Sequence, residues 1–206
     1  MFARSNTVRG DPEALSSGMA YVHDKVMPAV TQMDGCVGIS MLADRDSGRC
    51  IITTAWADNA AMQASAEGVR PLRERAMEMF KGSVEVNEWE IALLHRVHET
   101  GDGSCARVTW TTGDPAGLDA MIDALRMTQL SKMEELPGFC SVSLMVDRQS
   151  GRAVTAVTFE SRAAMMAVQD RSTAMREGFL QSMNRESMEG AIFDVVLAHL
   201  RVPETV

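Results

Sequence analysis

Residues 10–12 read Gly-Asp-Pro, and residues 113–115 read Gly-Asp-Pro again, 103 positions later. At the same spacing Asp44-Arg45-Asp46-Ser47-Gly48-Arg49 returns as Asp147-Arg148-Gln149-Ser150-Gly151-Arg152. Ala60-Ala61-Met62 returns as Ala163-Ala164-Met165, and Arg73-Glu74 as Arg176-Glu177. Towards the end of each copy the spacing becomes 104, and Leu93-Leu94-His95 is answered by Leu197-Ala198-His199. The chain is therefore one module written twice, with copies drawn at residues 1–100 and 101–206. Each copy has the ordinary size of one domain. Two copies suggest a pseudo-symmetric pair, because solenoids usually need three repeats or more.

Within the first copy, Phe2 to Val8 reads as a strand, and Gly10-Asp11-Pro12 opens a helix with Asp as cap and Pro at the first turn. Leu15, Met19, Val22, Val26, Val30 and Met33 recur at helical steps, and Pro28 is expected to kink that helix. Cys36 to Leu42 and Cys50 to Trp56 form a hairpin around a Gly48 turn. A second helix starts at Asp58 and is expected to break near Gly68-Val69-Arg70-Pro71, before a last strand from Val84 to Val97. The second copy repeats the order and ends on a strand expected from Ile192 to Arg201. Residues His98 to Ser104 link the copies. Each copy is thus β-α-β-β-α-β, the ferredoxin-like arrangement. Two helices cover one face of a four-stranded sheet, and the other face is apolar at alternate positions. The fold class expected is α+β, with the two repeats packed sheet to sheet as an eight-stranded barrel and helices outside. The two repeats pair within the chain, and further oligomerisation stays open.

The formal net charge is −8 and no long basic stretch is present, which argues against nucleic acid as a partner. No apolar run reaches the roughly 18 residues of a membrane span. Met1 to Asn6 carry no secretory apolar stretch, so the chain is expected to be cytoplasmic. Cys36, Cys50, Cys105 and Cys140 show no paired spacing, and they read as small apolar side chains rather than metal ligands or a disulfide framework. The 17 methionines serve either as adaptable core or as the wall of a plastic ligand cavity.

Two local patterns carry a family resemblance. One is a helix-end Gly followed by an apolar strand, Asp34-Gly35-Cys36-Val37-Gly38-Ile39 and Pro137-Gly138-Phe139-Cys140-Ser141-Val142. The other is a strand ending in an aromatic before a capped helix, Thr54-Ala55-Trp56-Ala57-Asp58 and Thr158-Phe159-Glu160-Ser161. With the element order, these resemble the dimeric α+β barrel superfamily, and more specifically a tandem form of the antibiotic-biosynthesis-monooxygenase domain. The resemblance covers nearly the whole chain and implies an intrachain dimeric α+β barrel. It also implies one of two activities, oxygenation of aromatic or quinol-like substrates without cofactor or haem degradation, or no known activity. The haem-degrading branch carries an Asn on the first strand and a Trp and a His on the second helix. Here those positions hold Asn6, Ser65 and Glu74 in the first copy, and Thr109, Val168 and Glu177 in the second. The haem branch is therefore disfavoured, and no metal, flavin or haem cofactor is expected.

The candidate catalytic residues are Asn6, whose amide orients a carbonyl or peroxy group, and His23, a general base beside Asp24. Trp56 and Tyr21 are candidate substrate-binding aromatics. Arg4, matched by Arg107, binds an acid ligand if buried and is solvated if it lies at the edge. His95 and His199 occupy matched positions and read as fold residues at the sheet margin. The first copy is expected to hold the better pocket. The leading function is a cofactor-independent monooxygenase or related small-molecule enzyme acting on an aromatic or quinol-like substrate. The alternative is a non-catalytic small-molecule-binding or stress-associated barrel protein.

Overall fold

The structure, a computed structural model, describes residues 1–200. The first copy runs β1 (Phe2–Arg9), α1 (Leu15–Tyr21), α2 (Met27–Thr31), β2 (Cys36–Asp44), β3 (Arg49–Trp56), α3 (Asn59–Ala64), α4 (Ala66–Phe80) and β4 (Ser83–Arg96). The second repeats it with β5 (Cys105–Thr112), α5 (Leu118–Ala124), α6 (Leu130–Glu134), β6 (Phe139–Asp147), β7 (Arg152–Phe159), α7 (Arg162–Ala167), α8 (Gln169–Ser182) and β8 (Glu186–Leu200). The α+β, ferredoxin-like reading holds in both copies. The hydrogen-bonded strand order, β1-β3-β2-β8-β5-β7-β6-β4, is that of a closed antiparallel barrel. Strand β8 begins six residues before the expected Ile192, and Arg201, its expected end, lies outside the described residues. Among the described residues no helix is long and apolar enough to cross a membrane.

The local signals explain the elements. The Asp11 carboxylate accepts a hydrogen bond from the Glu13 amide, and Asp114 from the Ala116 amide, both at 2.9 Å. Each cap opens a short 3-10 turn with Pro in its first turn. Two expected helix irregularities are placed differently. The bend assigned to Pro28 is a π-helical turn at Val22–Val26, and Pro28 follows it in the first turn of α2, where its missing N–H costs least. The second copy has the same π turn at Leu125–Gln129 with Ser131 in place of the proline. The π turn is therefore built into the module, not imposed by Pro28. The break expected near Gly68–Pro71 instead falls at Ser65, and α4 runs through Pro71. The second copy breaks at the matching Val168.

By compactness the chain divides inside its two longest strands. The first unit is Met1–Trp89 with β8 from Asp194 onward, and the second is Glu90–Phe193. In the first unit β3 pairs with β1 from Phe2↔Trp56 to Arg9↔Arg49, and β2 pairs on its outer side with β8. Its core gathers Ile39, Met41, Trp56, Met62 and Phe80. In the second unit β7 pairs with β5 from Cys105↔Phe159 to Thr111↔Ala153, and β6 pairs with β4 from Glu90 onward. Its core gathers Leu93, Leu118, Leu144, Phe159 and Met165. A bulge displaces Val37 in β2 and its counterpart Cys140 in β6. A second pair of bulges, at Ala92 and Val196, shifts the side-chain alternation along the last strands.

Gly138 precedes β6 at φ +77°, and a Cβ there would lie 2.6 Å from the Ala164 methyl. Gly138→Ala is therefore expected to cost about 2 kcal/mol, from left-handed backbone strain plus overlap. In a chain of this size that is a fall in Tm of roughly 4–8 °C by calorimetry. A melting temperature equal to that of the parent would contradict the assignment of this glycine.

Candidate functional site

Each unit holds a cleft between its sheet and its helices. The first encloses about 490 Å³, counted to its open mouth, and is lined by Arg4, Asn6, Val22, Val26, Val30, Ile52, Thr54, Val69, Leu72, Arg73, Ala76 and Met77. Arg4 and Asn6 on β1, and Ile52 and Thr54 on β3, point the same way because strand side chains alternate. Val22, Val26 and Val30 come from the π turn and its flanks, and the last five from α4. Each of these twelve residues, moved 103 positions, falls on a residue lining the second cleft. Arg4 becomes Arg107, Asn6 becomes Thr109, Val30 becomes Met133 and Arg73 becomes Arg176. The two clefts are one site written twice.

The second cleft is the larger, at about 830 Å³ counted to its mouth, although the first copy was expected to hold the better pocket. Trp56 and Phe80 are fully buried and fill the first core, where the second copy has the smaller Phe159 and a half-buried Met183. Phe159 lines the second cleft together with Met121, Met133 and Met175. The methionine-walled cavity is thus present in the second copy.

The arginines of the first strands differ more. Arg4 is 4% exposed. Its Nε and Nη2 donate to Glu88 Oε1 at 3.0 and 2.8 Å, Nη1 donates to Ser65 Oγ at 2.9 Å, and Nη2 donates to the Met62 carbonyl at 2.9 Å. The other Glu88 oxygen accepts from Gln63 Nε2 at 2.7 Å. Burial pushes the Glu88 carboxyl up, but the hydrogen bonds from Arg4 and Gln63, with the Arg4 charge, outweigh it and hold the group below the usual carboxylate range. In the second copy each of these side-chain partners is replaced by an apolar residue. Ser65 becomes Val168 and Gln63 becomes Met166, and at the 104 spacing of the last strands Glu88 becomes Ile192. Among the described residues Arg107 has no carboxylate partner. Burial lowers its pKa, and the nearby Arg176 charge pushes the same way against a smaller opposing effect of Cys105.

Of the residues singled out in the sequence, the first cleft brings together Arg4 and Asn6 only. Asn6 is half-buried, its Nδ2 reaches the Ile52 carbonyl at 3.4 Å, and its buried Oδ1 has no partner. His23 lies elsewhere, with a side chain 64% exposed and Nδ1 2.8 Å from Asp24 Oδ1, because it sits on the outer face of the π turn. Trp56 is buried in the core and donates from Nε1 to Thr54 Oγ1 at 3.1 Å, so it backs the cleft without lining it. Tyr21 packs against the same core, outside the lining. The sequence reading missed Glu88, Arg73 and Arg176. The last two were visible only as markers of the repeat, and Glu88 lies 84 residues from the arginine it holds.

Other chemistry is sparse. The Cys50 thiol is pushed up to about 12, by burial first, so it is no nucleophile at neutral pH. Among the described residues no three His, Cys, Asp or Glu side chains gather to hold a metal ion. A haem site does not fit either. Among the described residues no His or Cys lines either cleft, Ser65 at the expected Trp position is engaged with Arg4 and Met62, and Glu74 at the expected His position is exposed.

Comparison with known proteins places these clefts in context. A family model described as antibiotic biosynthesis monooxygenase matches residues 1–68. The chain is 47% identical over 206 residues to the uncharacterized protein Rv2557 of Mycobacterium tuberculosis (strain ATCC 25618 / H37Rv), covering 100% of this chain and 92% of the relative. Among solved structures, an anthrone oxidase-like protein aligns with a TM-score of 0.69 at 15% identity, covering 97% of this chain and 93% of the other. The haem-degrading enzyme LmHde of Listeria monocytogenes aligns with a TM-score of 0.52 at 11% identity, covering 93% and 98%. At these identities the structural likenesses establish the fold alone.

Removing the Glu88 carboxylate leaves Arg4 buried without its anion. Glu88→Ala is expected to cost about 1–3 kcal/mol in urea unfolding at neutral pH, less than a fully buried pair because Glu88 is partly exposed. Since the folded-state pKa of Glu88 is lowered, its contribution is present above the unfolded value and is lost as pH falls through the folded one. The stability gap between parent and variant should therefore close on acidification below the ordinary carboxylate range. A gap that is absent at neutral pH, or that widens in acid, would refute the clamp.

Proposed function

Starting from a chain that belongs to the antibiotic biosynthesis monooxygenase family, we propose that it takes up a small, flat, mainly apolar molecule in its paired clefts. Family and fold support a monooxygenase or a small-molecule-binding role. The observation that carries the proposal is the matched pair of clefts, each with apolar walls and a few convergent polar groups, the usual make-up of a small-molecule site. Among the described residues no His, Asp, Glu, Cys or Tyr lines either cleft. No side chain of ordinary basicity therefore stands ready to take a proton from a substrate. That favours binding over catalysis. His23 has no role in this reading, because it lies outside both linings.

Cofactor-independent oxygenation of an aromatic or quinol-like substrate is the second reading, and Asn6 is the observation that favours it. Its Oδ1 is buried in the first cleft without a partner, so it is a ready acceptor for a substrate hydroxyl. The substrate would then supply its own acidity and enter the first cleft as the neutral molecule, since Arg4 is already held by Glu88. Trp56 and Tyr21 would support the wall from behind. Either role belongs, in this proposal, to the cytoplasm.

An oxygen electrode separates the readings. With a dihydroxynaphthalene in air, the binding protein leaves oxygen uptake at the level of buffer while the ligand still binds saturably. The oxygenase raises uptake, and Asn6→Ala lowers the rate by about tenfold or more, as for loss of one oriented polar group in a site. His23→Ala is expected to leave both rate and pH profile unchanged. Uptake that survives Asn6→Ala but is lost in His23→Ala would overturn this arrangement.

A further inference from the structure

The two clefts share their plan, yet only one has its own carboxylate. In the first, Glu88 fills the anion position of Arg4 with two hydrogen bonds to one carboxylate oxygen. In the second, the residues that would do so are Ile192, Val168 and Met166. Arg107 is nevertheless retained there, half-buried, and faces the same cavity as Arg176. Holding two like charges beside an apolar cavity without an anion is unfavourable, because neither gains the attraction that offsets its desolvation. Guanidinium is also the side chain best shaped to grip an oxyanion through two parallel N–H groups. The rest of the cavity is apolar, with Met121, Leu125, Phe159 and Phe179 among its walls.

We propose that the second cleft binds an organic acid, its carboxylate held by Arg107 and Arg176 and its apolar body lodged among Met121, Leu125, Phe159 and Phe179. The proposal rests on the small-molecule reading above and specifies the ligand class. Glu88 in the first copy shows the interaction that the ligand supplies in the second. The first cleft, whose Arg4 is already satisfied, takes a neutral molecule or none. The lowered pKa of Arg107 agrees with a cation kept short of an anion.

The test is titration calorimetry of the full chain with a naphthalene carboxylate and with its neutral carboxamide. The carboxylate is expected to bind about tenfold tighter or better, with a preference that shrinks as salt is raised. Arg107→Met and Arg176→Met each abolish that preference, and Arg107→Lys restores part of it. Equal binding of the two compounds, unaltered by either variant, would overturn the proposal while leaving the cleft as a small-molecule site. Binding of neither compound would instead count against the small-molecule reading itself. Unliganded stability is the second readout. Arg107→Met removes a cation with no counter-charge and should melt at or above the parent's Tm, whereas Arg4→Met breaks the Glu88 pair and should melt below it. A clear fall in Tm for Arg107→Met would mean that Arg107 is satisfied within the protein, and the proposal would fail.

Discussion

A guanidinium that enters the interior from the first strand needs an anion. The two copies differ in whether the chain provides it. In the first copy Glu88 does, and Arg4 becomes a tie between β1, the α3–α4 junction at Ser65 and β4. The cleft beside it is the smaller one, and its Arg4 is already paired. In the second copy the same strand position carries Arg107 without the carboxylate, beside a cavity of greater volume and a second arginine. The two repeat-like halves thus share a scaffold and, in the proposal made above, divide its roles. One copy spends its arginine on stability, and the other leaves it available to a ligand.

The scaffold itself depends on devices that recur at matched positions. The aspartate caps at Asp11 and Asp114, the left-handed glycines at Gly35 and Gly138, the π turns and the strand bulges all appear in both copies. Repetition separates what the fold requires from what one copy happens to carry. Pro28 shows this well. It looks responsible for the helix irregularity until the second copy displays the same irregularity around Ser131. The π turns matter to function because they aim Val22 and Val26, or Leu125 and Gln129, into the clefts.

Much of the fold was legible in the sequence, because capping, hairpin glycines and strand alternation are local signals. The ferredoxin-like order in both copies could be read from them. The site was less legible for a physical reason. The helical stripe through Leu15, Val22, Val26 and Val30 is buried as its spacing predicts, whereas His23 borders that stripe in sequence and lies on the exposed side, a distinction of one residue that spacing does not make. Trp56 could be recognised as large and apolar, but not as core rather than cleft wall. The partner of Arg4 lies 84 residues away on another strand, so neither the clamp nor its absence around Arg107 has a local signature. The arginine match between the first strands was visible, and the sequence left open whether those positions were buried. The structure resolves Arg4 as buried and Arg107 as half-buried at a cleft.

The claim that one copy carries its own anion and the other waits for one is tested most directly by a crystal structure of the protein with a naphthalene carboxylate. The account predicts the ligand in the second cleft, with carboxylate oxygens about 2.7–2.9 Å from the guanidinium nitrogens of Arg107 and Arg176, and Arg4 still bound to Glu88 in the first. A carboxylate turned to solvent, or Arg107 paired with an acidic side chain of the chain itself, would contradict it.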